Sequence, residues 1–168
     1  MAAKTTLLME VRLILGDQLH AEHSWFEEVN DNVCYVMFEM RQETDYVKHH
    51  IQKVIAFFGA MRNFARAREK EGHRVLYFTL DDSQNEQELE KNLNKVISLL
   101  GASHFAYQLP DEFRLDQQLQ TFCKGLKISS EGFDTDHFLT TRNEMGQFFA
   151  GKKKWVMEFF YRYMRASG

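Results

Sequence analysis

The chain has 168 residues, 44% of them hydrophobic and 14% aromatic, which is enough for one well-buried core and too short for two full domains. A formal charge of -3 argues against a protein that grips nucleic acid through its overall field, because phosphate binding rests on clustered Lys and Arg, and leaves room only for a local patch. The two cysteines, Cys34 and Cys123, show neither CxxC nor Cys/His metal spacing, so they can build neither a structural zinc site nor an iron-sulfur cluster.

Leu7 to Leu15 reads as a first strand and Val33 to Met40 as a second, both almost continuously apolar, as strands buried on two faces are. His23 to Val29 reads as a short helix between them. From Thr44 the period becomes helical, through Tyr46, Val47, His50, Val54, Phe57, Phe58, Met61, Phe64 and Ala65, until Gly72 supplies a stop. Arg74 to Leu80 is a third strand, and strand, helix, strand over that distance implies a right-handed parallel crossover. Asp81-Asp82-Ser83 offers a cap for a helix from Glu86 to Leu100 that ends at Gly101. His104 to Leu109 is a fourth strand, Pro110-Asp111-Glu112 opens a helix through Leu126, and Lys127-Ile128-Ser129 is a fifth short strand.

This alternation predicts an α/β fold: a Rossmann-like, doubly wound, parallel five-stranded sheet with helices on both faces, spanning residues 1–134. Residues 135–168 form a helical extension with no following strand. Its aromatic content, including Trp155, Phe159, Phe160, Tyr161 and Tyr163, needs something to pack on. The one basic run, Lys152-Lys153-Lys154, reads as a solvated helix start. No signal-peptide pattern opens the chain and no apolar run approaches transmembrane length, so the expected location is the cytoplasm.

The turn after the first strand, Gly16-Asp17-Gln18, stands where open α/β sheets place ligands, beyond the carboxyl ends of the strands. Glu39, Glu43 and Tyr46 reach the same crevice if the first two strands are neighbours, and their carboxylates and ring could hold a polyhydroxyl chain or a heteroaromatic ring. The alternative is structural, with Asp17 and Glu39 as caps and Tyr46 in the core. No GxGxxG follows the first strand, no GxxxxGK[ST] exists and GxSxG is absent, which disfavours NAD enzymes, P-loop enzymes and serine hydrolases. His49 and His50 point about 100° apart on a helix and cannot share one metal ion, so they read as satisfied, partly buried side chains. Lys53 falls on the face of His49 and can pair with an acid.

Five blocks in order then resemble a known family: Leu13-Ile14-Leu15-Gly16-Asp17-Gln18-Leu19; Glu39-Met40 with Tyr46-Val47-x-His49-His50-x-x-Lys53; Ala60-Met61-Arg62-x-Phe64; Gly72-His73-Arg74-Val75-x-Tyr77; and Met157-Glu158-x-Phe160-Tyr161-Arg162-x-Met164-Arg165. Together they resemble the N-terminal part of the deoxyribodipyrimidine photolyase-related proteins, the iron-sulfur bacterial cryptochrome and photolyase branch. The resemblance implies a light-harvesting antenna domain holding a ribityllumazine-type chromophore, with Gly16, Asp17, Gln18, Phe38, Glu39, Glu43 and Tyr46 as the cofactor-binding residues. Some relatives carry a cysteine beside the chromophore where this chain has Phe38. FAD, the iron-sulfur cluster and the DNA contact are implied only for a C-terminal helical domain, the partner of the aromatic tail, and the chain resembles a fragment that stops at its entry. The whole protein is then expected to repair ultraviolet pyrimidine lesions with light, while this part carries no catalytic residue. A cryptochrome-type photoreceptor, or a purely structural α/β domain with an empty pocket, are the other functions the resemblance allows.

Overall fold

The computed structural model describes residues 9–41 and 49–167. Five parallel strands form one sheet: β1 (Glu10–Leu13), β2 (Val33–Phe38), β3 (Arg74–Phe78), β4 (His104–Gln108) and β5 (Ser129–Phe133), in the order β3-β2-β1-β4-β5. A short 3-10 turn, Ser24–Phe26, joins β1 to β2, and the helices are α1 (Ile51–Lys70), α2 (Leu89–Leu100), α3 (Phe113–Gly125), α4 (Glu144–Phe149) and α5 (Met157–Ser167). The doubly wound parallel sheet expected of the sequence is therefore present.

Strand alternation decides which helix lies on which face. Val11, Leu13, Cys34, Val36, Phe38, Phe105 and Tyr107 face the layer of α2 and α3, through Leu89, Leu93, Val96, Leu119 and Phe122. Ile14, Tyr35, Met37, Val75 and Ala106 face the other way, onto Trp25, Phe26 and the Phe58, Met61, Phe64 and Ala65 stripe of α1. All six residues of β2 are buried because both faces are covered, which is why the strand reads as a continuous apolar run.

Element ends moved where local chemistry overrode periodicity. The short helix at His23 to Val29 is a single 3-10 turn, capped by the His23 side chain accepting from Trp25 N. The long helix begins at Ile51, since His50 sits at its N-cap with extended backbone and accepts from Gln52 N. Gly72, at φ 98°, provides the left-handed turn that stops it. The Asp81-Asp82-Ser83 cap is not used: Asp82 binds Gln84 N inside a loop, and α2 starts only after Glu88. The fifth strand begins at Ser129, where the sequence placed its end, because Lys127 and Ile128 are spent returning from α3, with Ile128 packing on the core.

Two compact units result, Met1–Thr135 and Asp136–Gly168. Inside the second, Phe148, Phe149, Phe160 and Tyr163 pack edge-to-face or tilted against one another, with Phe148 and Phe149 at 4.9 Å and 85°. Trp155, Phe159 and Tyr161 remain exposed. Among the described residues no helix is long and apolar enough to cross a membrane.

Candidate functional site

Parallel β1 and β2 are direct neighbours, with Leu13 opposite Val36, so the turn after β1 and the residues after β2 share one end of the sheet. Gly16, Asp17, Gln18, Phe38 and Glu39 come together there. Glu43 and Tyr46 lie outside the described residues. Asp17 is exposed at the tip of the turn, whereas Gln18 and Glu39 are buried.

Gln18 is a tie. Its side-chain Oε1 accepts from Leu15 N at 3.1 Å and its Nε2 donates to Gln108 O at 3.1 Å, so one amide closes the β1 turn and fastens it to the end of β4. The order β3-β2-β1-β4-β5 reverses direction between β1 and β4, and this bridge spans the crevice where open α/β sheets bind ligands. The side-chain amide of Gln108 is itself wholly buried, with neither atom partnered among the described residues.

Glu39 is the electrostatic centre of this end. Its carboxylate accepts from Arg62 Nε at 2.5 Å and Nη2 at 2.8 Å, from Tyr77 Oη at 2.7 Å and from Leu80 N at 2.9 Å. Four donors fill the acceptor capacity of an ionised carboxylate. Burial pushes the Glu39 carboxyl up, but the hydrogen bonds from Arg62, Tyr77 and Leu80, with the Arg62 charge, outweigh it and hold the group below its ordinary value. Tyr77 is pushed well above the usual phenol range, by burial and by the carboxylate it donates to. Glu39 O also accepts from Asn85 Nδ2, which fixes the loop after β3 beside it. Glu39 thus joins β2, β3 and α1 rather than projecting into open space.

Phe38 stacks on Phe78 at 5.1 Å and 28° within the core. Gly16 is needed for close approach, but what approaches is α1: a Cβ built there would lie 2.3 Å from Phe57 Cζ and 2.8 Å from Met61 Sδ. The space left among Leu13, Gly16, Phe38, Met40, Phe57 and Leu89 is about 10 Å³, room for a single water. With Phe57 in that position the crevice does not fit a bicyclic ring.

Sequence reasoning placed Phe57, Met61, Arg62 and Tyr77 in helix, strand or motif without giving them a role here. Arg62 carried a usable signal: it is a charge immediately after the buried Met61 of a helix, in reach of a carboxylate at a strand end. Gln108 carried none, being the last polar residue of a short run. Of the histidine pair, His49 is partly buried and hydrogen-bonded, its Nδ1 accepting from Lys53 Nζ at 3.3 Å, whereas His50 is corrected to an exposed N-cap.

The fold and this strand-end constellation define a Rossmann-like α/β domain with its polar cluster at the carboxyl edge of a parallel sheet. The model of the family described as deoxyribodipyrimidine photo-lyase-related protein matches residues 12–167. The chain belongs to that family. It is 32% identical over 159 residues to a (6-4) photolyase of Agrobacterium fabrum, an alignment that takes in 94% of this chain and 31% of that relative's length.

Proposed function

We propose that this chain is the N-terminal, light-harvesting module of a photolyase-type protein, and that the crevice beyond β1 and β2 is its site for a ribityllumazine-type pigment. The observation that carries the reading is the meeting of the Gly16-Asp17-Gln18 turn with Phe38 and Glu39 at one sheet end, in a chain matched to this family over 12–167. Such a pigment absorbs near-ultraviolet or blue light and passes excitation to a flavin; the chain's own residues contribute ring orientation and polarity. Asp17, exposed at the turn, would accept hydrogen bonds from the ribityl hydroxyls. In the longer protein the proposed activity is light-driven repair of pyrimidine lesions with FAD held in a C-terminal helical domain, which also meets the DNA. The acidic balance of this module agrees with a DNA grip located elsewhere.

A second reading, a supporting domain without pigment, is favoured by one feature: the ring of Phe57 against Gly16, which leaves about 10 Å³ in the crevice. The two are separated by expressing the chain with a ribityllumazine supply and recording its absorption. A retained near-ultraviolet band that Asp17→Ala weakens is the expected result. A colourless, folded protein establishes the supporting role instead.

A further inference from the structure

Among the described residues, Phe57 is the partly exposed side chain that closes the crevice over Gly16. Phe57 lies on α1 two turns after its N-cap, half-buried, with its ring tip over Gly16 and its ring 5.7 Å from that of Phe58. Leu13 and Phe38 of the strands, Met40 just after β2 and Leu89 of α2, which line the remaining space, are buried in the core. They cannot retreat without disturbing the sheet. Phe57 can: it is bordered by the exposed Ile51 and Ile55 turns of the same helix, and a change of χ1 carries a partly exposed ring toward water on a fast timescale.

Among the described residues, the space the ring would vacate has the planar outline of a phenyl ring and is bounded mainly by apolar side chains, with Gly16 below and Met61 Sδ beside it. A slot of that shape takes a planar heteroaromatic ring, with Met sulfur against its edge. An engineered apolar cavity of about 150 Å³ is enough to take up benzene, so removal of a phenyl ring from an already notched site is of the right order to admit one ring of a bicycle. Glu39 cannot supply the polar end, since its four donors fill it, whereas Asp17 at the rim can.

Resting on the reading of this crevice as a pigment site, we propose that Phe57 is its occupancy-determining residue: the ring competes with the planar part of the pigment for the space above Gly16 and sets how tightly the pigment is held. Binding requires the ring to leave, so the observed affinity is the intrinsic one reduced by the fraction of molecules in which Phe57 is turned out.

The test titrates ribityllumazine into the wild-type chain, Phe57→Ala and Phe57→Leu, reading the quenching of pigment fluorescence, with far-ultraviolet circular dichroism to establish folding. Phe57→Ala is expected to bind at least about tenfold more tightly than wild type, with Phe57→Leu between them. Uptake by Phe57→Ala from a wild type that takes up none is the same result in its extreme form. If wild type binds and both variants bind equally well or more weakly, Phe57 is no competitor and the proposal falls while the pigment site stands. If none of three folded proteins binds, the pigment site falls and the proposal with it. Should Phe57→Ala fail to fold, the comparison of Phe57→Leu with wild type decides in the same terms.

Discussion

Glu39 has no exposed side-chain surface, yet it is ionised, because Arg62, Tyr77 and Leu80 N replace the water it lost. Its partner Arg62 is 44% exposed and can turn to solvent when the carboxylate is removed. Glu39→Gln is therefore expected to cost about 2–3 kcal/mol in urea unfolding, at or below the lower end for a broken buried pair. The sign of its pH dependence follows from a folded value lying below the ordinary 4.5. The stabilisation is fully present above pH 4.5 and is lost as the pH falls through the folded value. The gap between wild type and Glu39→Gln should accordingly narrow below pH 4.5; a gap that stays constant down to pH 3 would show that the carboxylate is not what holds this end together.

At the scale of elements, the sheet end is closed by side chains that cross between strands. Gln18 stitches β1 to β4 with two backbone contacts, and Glu39 and Asn85 tie β2 to β3 and the loop that follows. Replacing Gln18 by Leu keeps the volume and strands Leu15 N and Gln108 O as buried, unpaired groups. About 2 kcal/mol of stability should go, with faster amide exchange at Leu15 than at Val11 in mid-strand. Equal protection of the two amides in Gln18→Leu would mean that the turn holds without its tie. Periodicity made the elements legible: α1 was evident from Val54, Phe58, Met61 and Ala65, and β2 from its unbroken apolar run. Ends were less legible, since His50, Glu88 and the Lys127-Ile128 return are settled by which backbone groups find a partner.

At the scale of the whole molecule, the chain comprises two units of unlike character, Met1–Thr135 around a two-sided sheet and Asp136–Gly168 around a cluster of aromatic rings. The second has 33 residues, fewer than the roughly 40 below which a unit usually needs a disulfide, a metal or a partner, and leaves Leu139 98% exposed and Trp155 72% exposed. Limited proteolysis should cut first in the non-helical stretch 136–143, leaving a core fragment that unfolds cooperatively. Preferential cutting within α2 or α3 would overturn this division. The apolar surface of the second unit suits the covering helical domain proposed for the longer protein, and the 31% share of the photolyase relative leaves length for one.

The sequence alone determined the fold class, because a period of two, a period of 3.6 and the glycine stops are local properties that survive without knowledge of partners. It also marked the turn at Gly16 and the carboxylate at Glu39 as sharing one end of the sheet on the condition that the first two strands are neighbours, which the β1–β2 pairing supplies. What those residues do there was decided only by tertiary structure. That Glu39 is filled by donors from α1, β3 and the loop beyond it, that Gln18 spends its amide on β4, and that Phe57 lies over Gly16 all depend on contacts between residues 23 to 90 positions apart in the chain. Pairings at that separation leave no periodic trace, since each partner sits in an element whose own pattern is complete without it.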